Sequence, residues 1–310
     1  MKKVSILMSI YNEKEDQIKK SVNSILNQSY KNLELVIVID NPSYKNEYLE
    51  IMKKNFNDTR IKILINEKNI GLALSMNKAF NHSDGYYIAR MDADDIAYQK
   101  RIENEVESLE KSNYDFVCTG YIFIDEEDNQ IDGSYKYYQP DELKRALITT
   151  NCIHHPTVLM KRENFEKVGG YRNFPCSQDY DLWLRLLEQQ CQFIMIDEPL
   201  LKYRVREDST TSRKKFLQAV TLYYISLLFY QRLTNGHDNY SEENYKIFVE
   251  KCNKKYKLYK KNINKIQSIQ KKLGSSSFKD IYYRFVLLIK SNFIRDTYLL
   301  KIRIKKLTPY

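Results

Sequence analysis

An α/β fold, a mainly parallel sheet flanked by helices and followed by a basic helical region, is what this sequence predicts. Three observations carry that reading. Strand-like and helix-like segments alternate through the first 110 residues, the pattern of a parallel sheet with helices on both faces. Asp40, Asn66 and Asp92 fall where three of those strands end, and ligands in such sheets sit at the carboxyl ends of the strands. Strand signals stop after Arg213.

The apolar run Val4–Ile10 reads as the first strand, and Lys14–Leu26 as a helix with Ile18, Val22, Ile25 and Leu26 at helical spacing. Leu33–Ile39, Ile61–Ile65 and Tyr86–Met91 are the next strands, with helices at Glu47–Phe56 and Leu72–Phe80 between them. A helix over Ile96–Lys111 carries Ile102, Val106 and Leu109 on one face. Then come a strand at Phe116–Ile124, an acidic turn at Asp125–Asp132, a helix at Asp141–Ile148, a strand at Thr157–Met160 and a Gly169-Gly170 turn. The helix Gln178–Gln189 holds the only tryptophan, Trp183, expected in the core. Phe193–Ile196 is the last expected strand, followed by Pro199 and the segment Leu200–Arg206.

Beyond it, Phe216–Leu233 is apolar but interrupted by Gln218, Thr221 and Ser226, which predicts a packed helix. Lys251–Lys272 reads as a Lys-rich helix, Gly274–Ser277 as a hinge, and Phe278–Leu307 mixes apolar and aromatic residues with Lys and Arg. The expected units are residues 1–212 and residues 213–310.

Charge divides at the same place. Residues 1–212 hold 28 Lys and Arg against 34 Asp and Glu, whereas residues 213–310 hold 22 against 6. A nucleic-acid enzyme puts positive charge around its carboxylates, so this segregation disfavours nucleic acid as a partner. It gives the tail a separate task, docking to an anionic membrane surface, or leaves it a solvated basic bundle. Met1-Lys2-Lys3 before Val4–Ile10 imitates a signal peptide, but the apolar run is short and no small-residue cleavage site follows; a buried strand is expected. No apolar stretch reaches transmembrane length. Five scattered cysteines without CxxC spacing fit a reducing cytoplasm and no zinc site.

The tetrad Asp92-Ala93-Asp94-Asp95 follows a strand directly, and three carboxylates there have no packing reason. In extended chain Asp92 and Asp94 point the same way and can share one hard divalent cation, Mn²⁺ or Mg²⁺. The alternative, Asp94 or Asp95 capping a helix from Ile96, needs only one of the three.

Val4-Ser5-Ile6-Leu7-Met8-Ser9-Ile10-Tyr11-Asn12-Glu13 resembles the opening strand of family 2 glycosyltransferases of the GT-A (Rossmann-like) fold. Leu33–Asp40, Asn69-Ile70-Gly71-Leu72, Arg90–Asp95 with Arg101, and Gln178-Asp179-Tyr180-Asp181-Leu182-Trp183 look like that family's successive blocks, over about residues 3–206. The resemblance implies an inverting transfer from a nucleotide diphosphosugar, a UDP-sugar favoured, to a hydroxyl of a glycan or lipid-linked acceptor in bacterial surface polysaccharide or capsule synthesis. It assigns Tyr11, Asn12 and Glu13 to the base and ribose, and Asp40 to the ring imide of uracil or thymine. The turn Ile39-Asp40-Asn41-Pro42-Ser43 departs from the family's acidic pair and Gly-Ser. Asn69 lies in a donor-side block, and Asp94 and Asp92 match the metal-binding DxD positions. Arg90 binds phosphate or pairs with Asp92 or Asp95; Arg101 binds phosphate or lies at the surface. His155, in His154-His155-Pro156, completes the metal site or meets the acceptor, or is a satisfied loop histidine. The resemblance makes Asp179 the general base, with Asp181 in reserve; the alternative is that Asp179 caps the Trp183 helix. Tyr203-Arg204-Val205-Arg206 looks like the closing segment, where Arg204 meets the pyrophosphate and Arg206 stands where the family often has His. Glu207–Ser212 is expected to close over the donor. A nucleotidyltransferase is disfavoured because residues 4–13 lack glycine; a noncatalytic scaffold of a glycan assembly complex is the other alternative.

Overall fold

The computed structural model describes residues 1–206, 215–253 and 292–309. The chain divides into two compact units, Met1–Arg213 and Lys214–Tyr310.

In the first unit the strands are β1 (Val4–Ile10), β2 (Leu33–Ile39), β3 (Ile61–Ile65), β4 (Tyr87–Arg90), β5 (Ile96–Ala97), β6 (Phe116–Ile124), β7 (Val158–Lys161) and β8 (Phe193–Arg204). The helices are α1 (Glu15–Leu26), α2 (Lys45–Asn55), α3 (Leu72–Asn81), α4 (Arg101–Glu110), α5 (Pro140–Leu147), α6 (Arg162–Lys167) and α7 (Gln178–Glu188). One sheet runs in the order β3-β2-β1-β4-β7-β6-β8-β5. β1 is parallel to both β2 and β4, and β2 is parallel to β3. β7 is antiparallel to β4 and β6, while β8 runs parallel to β6.

The central strands are apolar on both faces because helices cover both: every residue of β2 is buried. Ile18, Val22 and Ile25 of α1 are fully buried at helical spacing, each worth about 1.5–3 kcal/mol of burial. Chain order reverses across β1, with β2 on one side and β4 on the other, and ligands of such sheets bind past the strand ends at that point, here beyond Ile10. The candidate site lies there.

Three expected boundaries differ. No helix begins at Ile96. Ile96 and Ala97 pair with Lys202 and Leu201 as β5, and the Ala97 and Tyr98 amides donate to Ser24 Oγ and the Leu200 carbonyl. The helix starts at Arg101, so neither Asp94 nor Asp95 caps it. The expected last strand and the segment after it form one twelve-residue strand, β8, which passes through Pro199 opposite Gly120 at a shift in register. A Cβ on Gly120 would lie 2.3 Å from the Tyr135 ring, so any larger residue there would have to displace that ring. The short α6, unforeseen in the sequence, precedes the Gly169-Gly170 turn.

In the second unit, the helix Lys215–Asn235 buries Val220, Ile225, Leu228 and Phe229, residues 242–253 are helical, and the helix Asn292–Leu307 buries Leu300 and Ile304. Among the described residues no helix is long and apolar enough to cross a membrane. Most of the Lys-rich helix expected at Lys251–Lys272, the hinge at Gly274–Ser277 and the loop Glu207–Ser212 lie outside the described residues. All five cysteines are free thiols.

Candidate functional site

Asp92, Asp94 and Asp95 leave β4 on a loop pinned from two sides. Ser21 on α1 donates to the Asp92 carbonyl (2.8 Å), and the Arg204 amide on β8 donates to the Asp95 carboxylate (2.8 Å). Two buried arginines brace the loop from below. Arg90 pairs with Asp92 and donates to the Leu7 carbonyl; Arg101, fully buried, pairs with Glu105 (2.9 Å) and donates to the Arg90 carbonyl (2.9 Å). Of the two expected roles for Arg90, the structure has the pairing with Asp92. Arg101 is neither a surface residue nor a phosphate ligand, since none of it is exposed.

Glu13, past the end of β1, accepts from the amides of Tyr11 (2.7 Å) and Asn12 (3.2 Å). Arg206 links it to the acidic loop: its Nε is 2.8 Å from Asp94 Oδ2, and an Nη is 3.5 Å from Glu13 Oε1. Burial, with Asp92 and Glu13 adding to it and Arg206 opposing, pushes the Asp94 carboxyl up to about 7. Burial and the neighbouring Asp94 and Asp92 raise Asp95 well above the ordinary carboxylate range, and its buried Oδ2 has no hydrogen-bond partner. Burial alone would lower Arg206, but Asp94 and Glu13 outweigh it and raise the guanidinium above its ordinary value.

This excess of buried negative charge fits a hard divalent cation. Asp92 and Asp94 offer the oxygen ligands that Mg²⁺ and Mn²⁺ take alongside water and phosphate. Among the described residues no group of three or more His, Cys, Asp or Glu side chains is arranged to hold a metal. A cation held here would have Asp94 and Asp92 as its protein ligands.

Two expected ligands are corrected by the geometry. Among the described residues His155 forms no three-residue ligand group with Asp92 and Asp94: its Nε2 is 2.7 Å from the Tyr171 hydroxyl, its ring packs edge-on to Trp183, and burial holds its pKa well below the ordinary value. Arg204 does not offer itself to a pyrophosphate. It is 3% exposed, and four of its five N–H donors go to the carbonyls of Asp94, Asp125 and Glu126 and to the Asp128 carboxylate. The more accessible cation of that segment is the half-buried Arg206, two residues on.

Past β2, Asp40 accepts from Asn66 Nδ2 (2.8 Å) and from the amides of Ile70 and Gly71 (both 2.9 Å). Three of its four acceptor positions thus tie the loop before α3 to the sheet. Gly71 sits at φ 84°, a conformation that favours glycine, where that loop enters α3. Asn69 is exposed and accepts from the Gly71 amide (3.0 Å). Tyr11 is 46% exposed and Asn12 is exposed, with the Tyr11 carbonyl held by Asn41 Nδ2 (2.6 Å) and the Tyr48 hydroxyl (3.2 Å).

Asp179 lies in the first turn of α7, entered through Ser177 in the left-handed region (φ 57°). Asn151 Nδ2 donates to its Oδ2 (2.8 Å). Burial raises the Asp179 carboxyl above its ordinary value; the Asn151 hydrogen bond opposes this, and the charge of Asp92 adds to it. Asp181 is not an equivalent candidate, because it is fully buried between Arg185 (2.8 Å) and Arg172 (3.6 Å). Trp183 is fully buried against Phe116, as expected of a core residue. Sequence reasoning missed Asn151, the grip of Arg206 on Asp94, and Tyr48. Nothing in the chain signals Asn151, whose partner lies 28 positions away.

A family model described as glycosyl transferase family 2 matches residues 5–169. An uncharacterized glycosyltransferase of Methanocaldococcus jannaschii is 37% identical over 219 residues, 68% of this chain and 74% of that protein. The Escherichia coli UDP-Glc:alpha-D-GlcNAc-diphosphoundecaprenol beta-1,3-glucosyltransferase is 33% identical over 218 residues, 68% of this chain and 80% of that protein. In fold, the chain is similar to S. aureus TarS 1-349 in complex with UDP-GlcNAc, with a TM-score of 0.59 at 14% identity over 80% of this chain and 70% of that one. It spans 42% of the longer TarS chain.

Proposed function

This chain belongs to glycosyl transferase family 2, and from that premise we propose that it moves a sugar, with inversion, from a UDP-sugar to a hydroxyl of a lipid-linked or polysaccharide acceptor. The chain is a glycosyltransferase of GT-A fold; donor, acceptor, cation and base are our reading. One observation carries it: a braced, electron-rich loop past β4 in the same unit as a buried carboxyl, Asp179, whose affinity for protons is raised. The E. coli relative is named for UDP-Glc and a diphosphoundecaprenol acceptor, which supports the choice of donor and acceptor classes.

In this reading Tyr11, Asn12 and the remaining acceptor position of Asp40 flank the base, and Asn69 lies at the rim of the donor cleft. Asp94 and Asp92 hold Mn²⁺ or Mg²⁺, which when bound offsets the charge of the diphosphate and of the departing nucleotide. Asp179 takes the acceptor proton as the acceptor oxygen bonds to the anomeric carbon and the bond from that carbon to the diphosphate breaks. Asn151 Nδ2 holds Oδ2 of the Asp179 carboxylate and so orients the base. A thermal-shift series tests the donor class. UDP-sugars with Mn²⁺ are expected to raise Tm, since ligand at 100 times its Kd adds about 2.7 kcal/mol. No shift with any nucleotide sugar contradicts the reading.

For the second unit we propose peripheral docking to an anionic membrane from the cytoplasmic side. Tyr298, Leu299 and Leu307 are exposed on the helix Asn292–Leu307 together with Arg303, Lys305 and Lys306. Basic side chains near such a surface contribute about 1 kcal/mol each, so replacing those three by alanine is expected to weaken co-sedimentation with anionic vesicles about hundredfold. Unchanged sedimentation, or equal binding to neutral vesicles, contradicts it.

A further inference from the structure

Arg206 sits on the carboxylate that a divalent cation needs. Among the described residues it is the one cation in ion-pair reach of Asp94; Arg90 is committed to Asp92, and Arg204 to Asp128. Its guanidinium spans from Asp94 Oδ2 to Glu13 Oε1, so it neutralises two carboxylates from different strand ends at once. Asp94 is 7% exposed, which leaves little room for a second approach to its oxygens. A guanidinium within 3 Å of a carboxylate and a divalent ion on the same group repel each other strongly in so buried a place. Histidine at position 206 would hand a cation a ligand; arginine competes with it. A nucleoside diphosphate changes the balance, because its oxygens accept charge from both cations.

We propose that Arg206 is the built-in counter-ion of the acidic loop, a positioning residue that makes entry of a divalent cation conditional on a nucleoside diphosphate. The enzyme then binds metal and donor as one unit and does not collect free metal first. This rests on the cation reading above and extends it to the order of binding.

Titration of the full-length protein with Mn²⁺, followed by loss of the free-ion EPR signal, tests it. Wild type is expected to bind Mn²⁺ weakly alone and about 5–150-fold more tightly with UDP present, with Mn²⁺ tightening UDP by the same factor. Arg206→Ala is expected to bind Mn²⁺ without nucleotide about tenfold or more tightly than wild type, and the UDP enhancement shrinks accordingly. Arg206→Lys, which keeps the charge, restores the dependence on UDP and separates the effect from any loss of fold. Arg206→Ala binding nucleotide-free Mn²⁺ no better than wild type overturns the proposal while leaving the cation reading intact. Failure of wild type to bind Mn²⁺ even with UDP overturns both.

Discussion

Asp179→Asn is expected to lower kcat by about 10²–10⁴-fold, the usual worth of a positioned proton acceptor, with the affinity for donor nearly unchanged. The substitution is close to isosteric, and the asparagine oxygen still accepts from Asn151 Nδ2, so α7 and its register persist. What is lost is the basic lone pair. Because burial raises the Asp179 carboxyl above its ordinary value, the acid limb of kcat/KM lies above about pH 3.9, the value for an unperturbed aspartate. The base works only when ionised, so activity is present above that limb and falls as pH drops through it. The Asn151 hydrogen bond holds the carboxyl down, so Asn151→Ala should move the limb to higher pH. Steady-state rates across pH, measured as release of UDP, check both. Full activity in Asp179→Asn assigns the base elsewhere.

Much of the parallel half was legible because its signals are local. β1 and β2 are apolar runs broken only by Ser5, Ser9 and Glu34, and Ile18, Val22 and Ile25 repeat at the helical period, so strand and helix follow without distant information. The acidic loop was legible for a complementary reason: Asp92, Asp94 and Asp95 follow a buried strand, where packing gives carboxylates no cause to be. What stayed hidden depends on partners far along the chain. Ile96 and Ala97 carry no strand signal of their own and pair only because Lys202 and Leu201 come alongside. Arg204 and Arg206 look alike in sequence, yet the first is consumed by carbonyls of the loop after β6 and the second by Asp94 and Glu13. His155 looked like a ligand beside His154, but its ring nitrogen is matched by Tyr171, sixteen residues on.

The second large effect belongs to Asp94. Asp94→Asn removes an anionic oxygen from the expected cation site, and because a bound cation is worth several kcal/mol at a developing charge, Mn²⁺-dependent affinity for UDP should fall about hundredfold or more. The fold should not suffer for it. The Asp94 carboxyl is pushed up to about 7, so stability is lost as pH rises from the ordinary carboxylate range through that value and stays lost above it; a neutral amide avoids the loss. Asp94→Asn is therefore expected to melt no lower than wild type at pH 8, which separates a lost ligand from a lost fold.

Calorimetric titration of UDP into wild type and Asp94→Asn, each with and without Mn²⁺, tests most directly whether the acidic loop past β4 takes a cation together with a nucleotide diphosphate. UDP binding that Mn²⁺ tightens tenfold or more in wild type, by about the coupling expected of linked ligands, and leaves unchanged in Asp94→Asn is the predicted result. Binding that ignores Mn²⁺ in wild type, or an undiminished Mn²⁺ effect in Asp94→Asn, would contradict it.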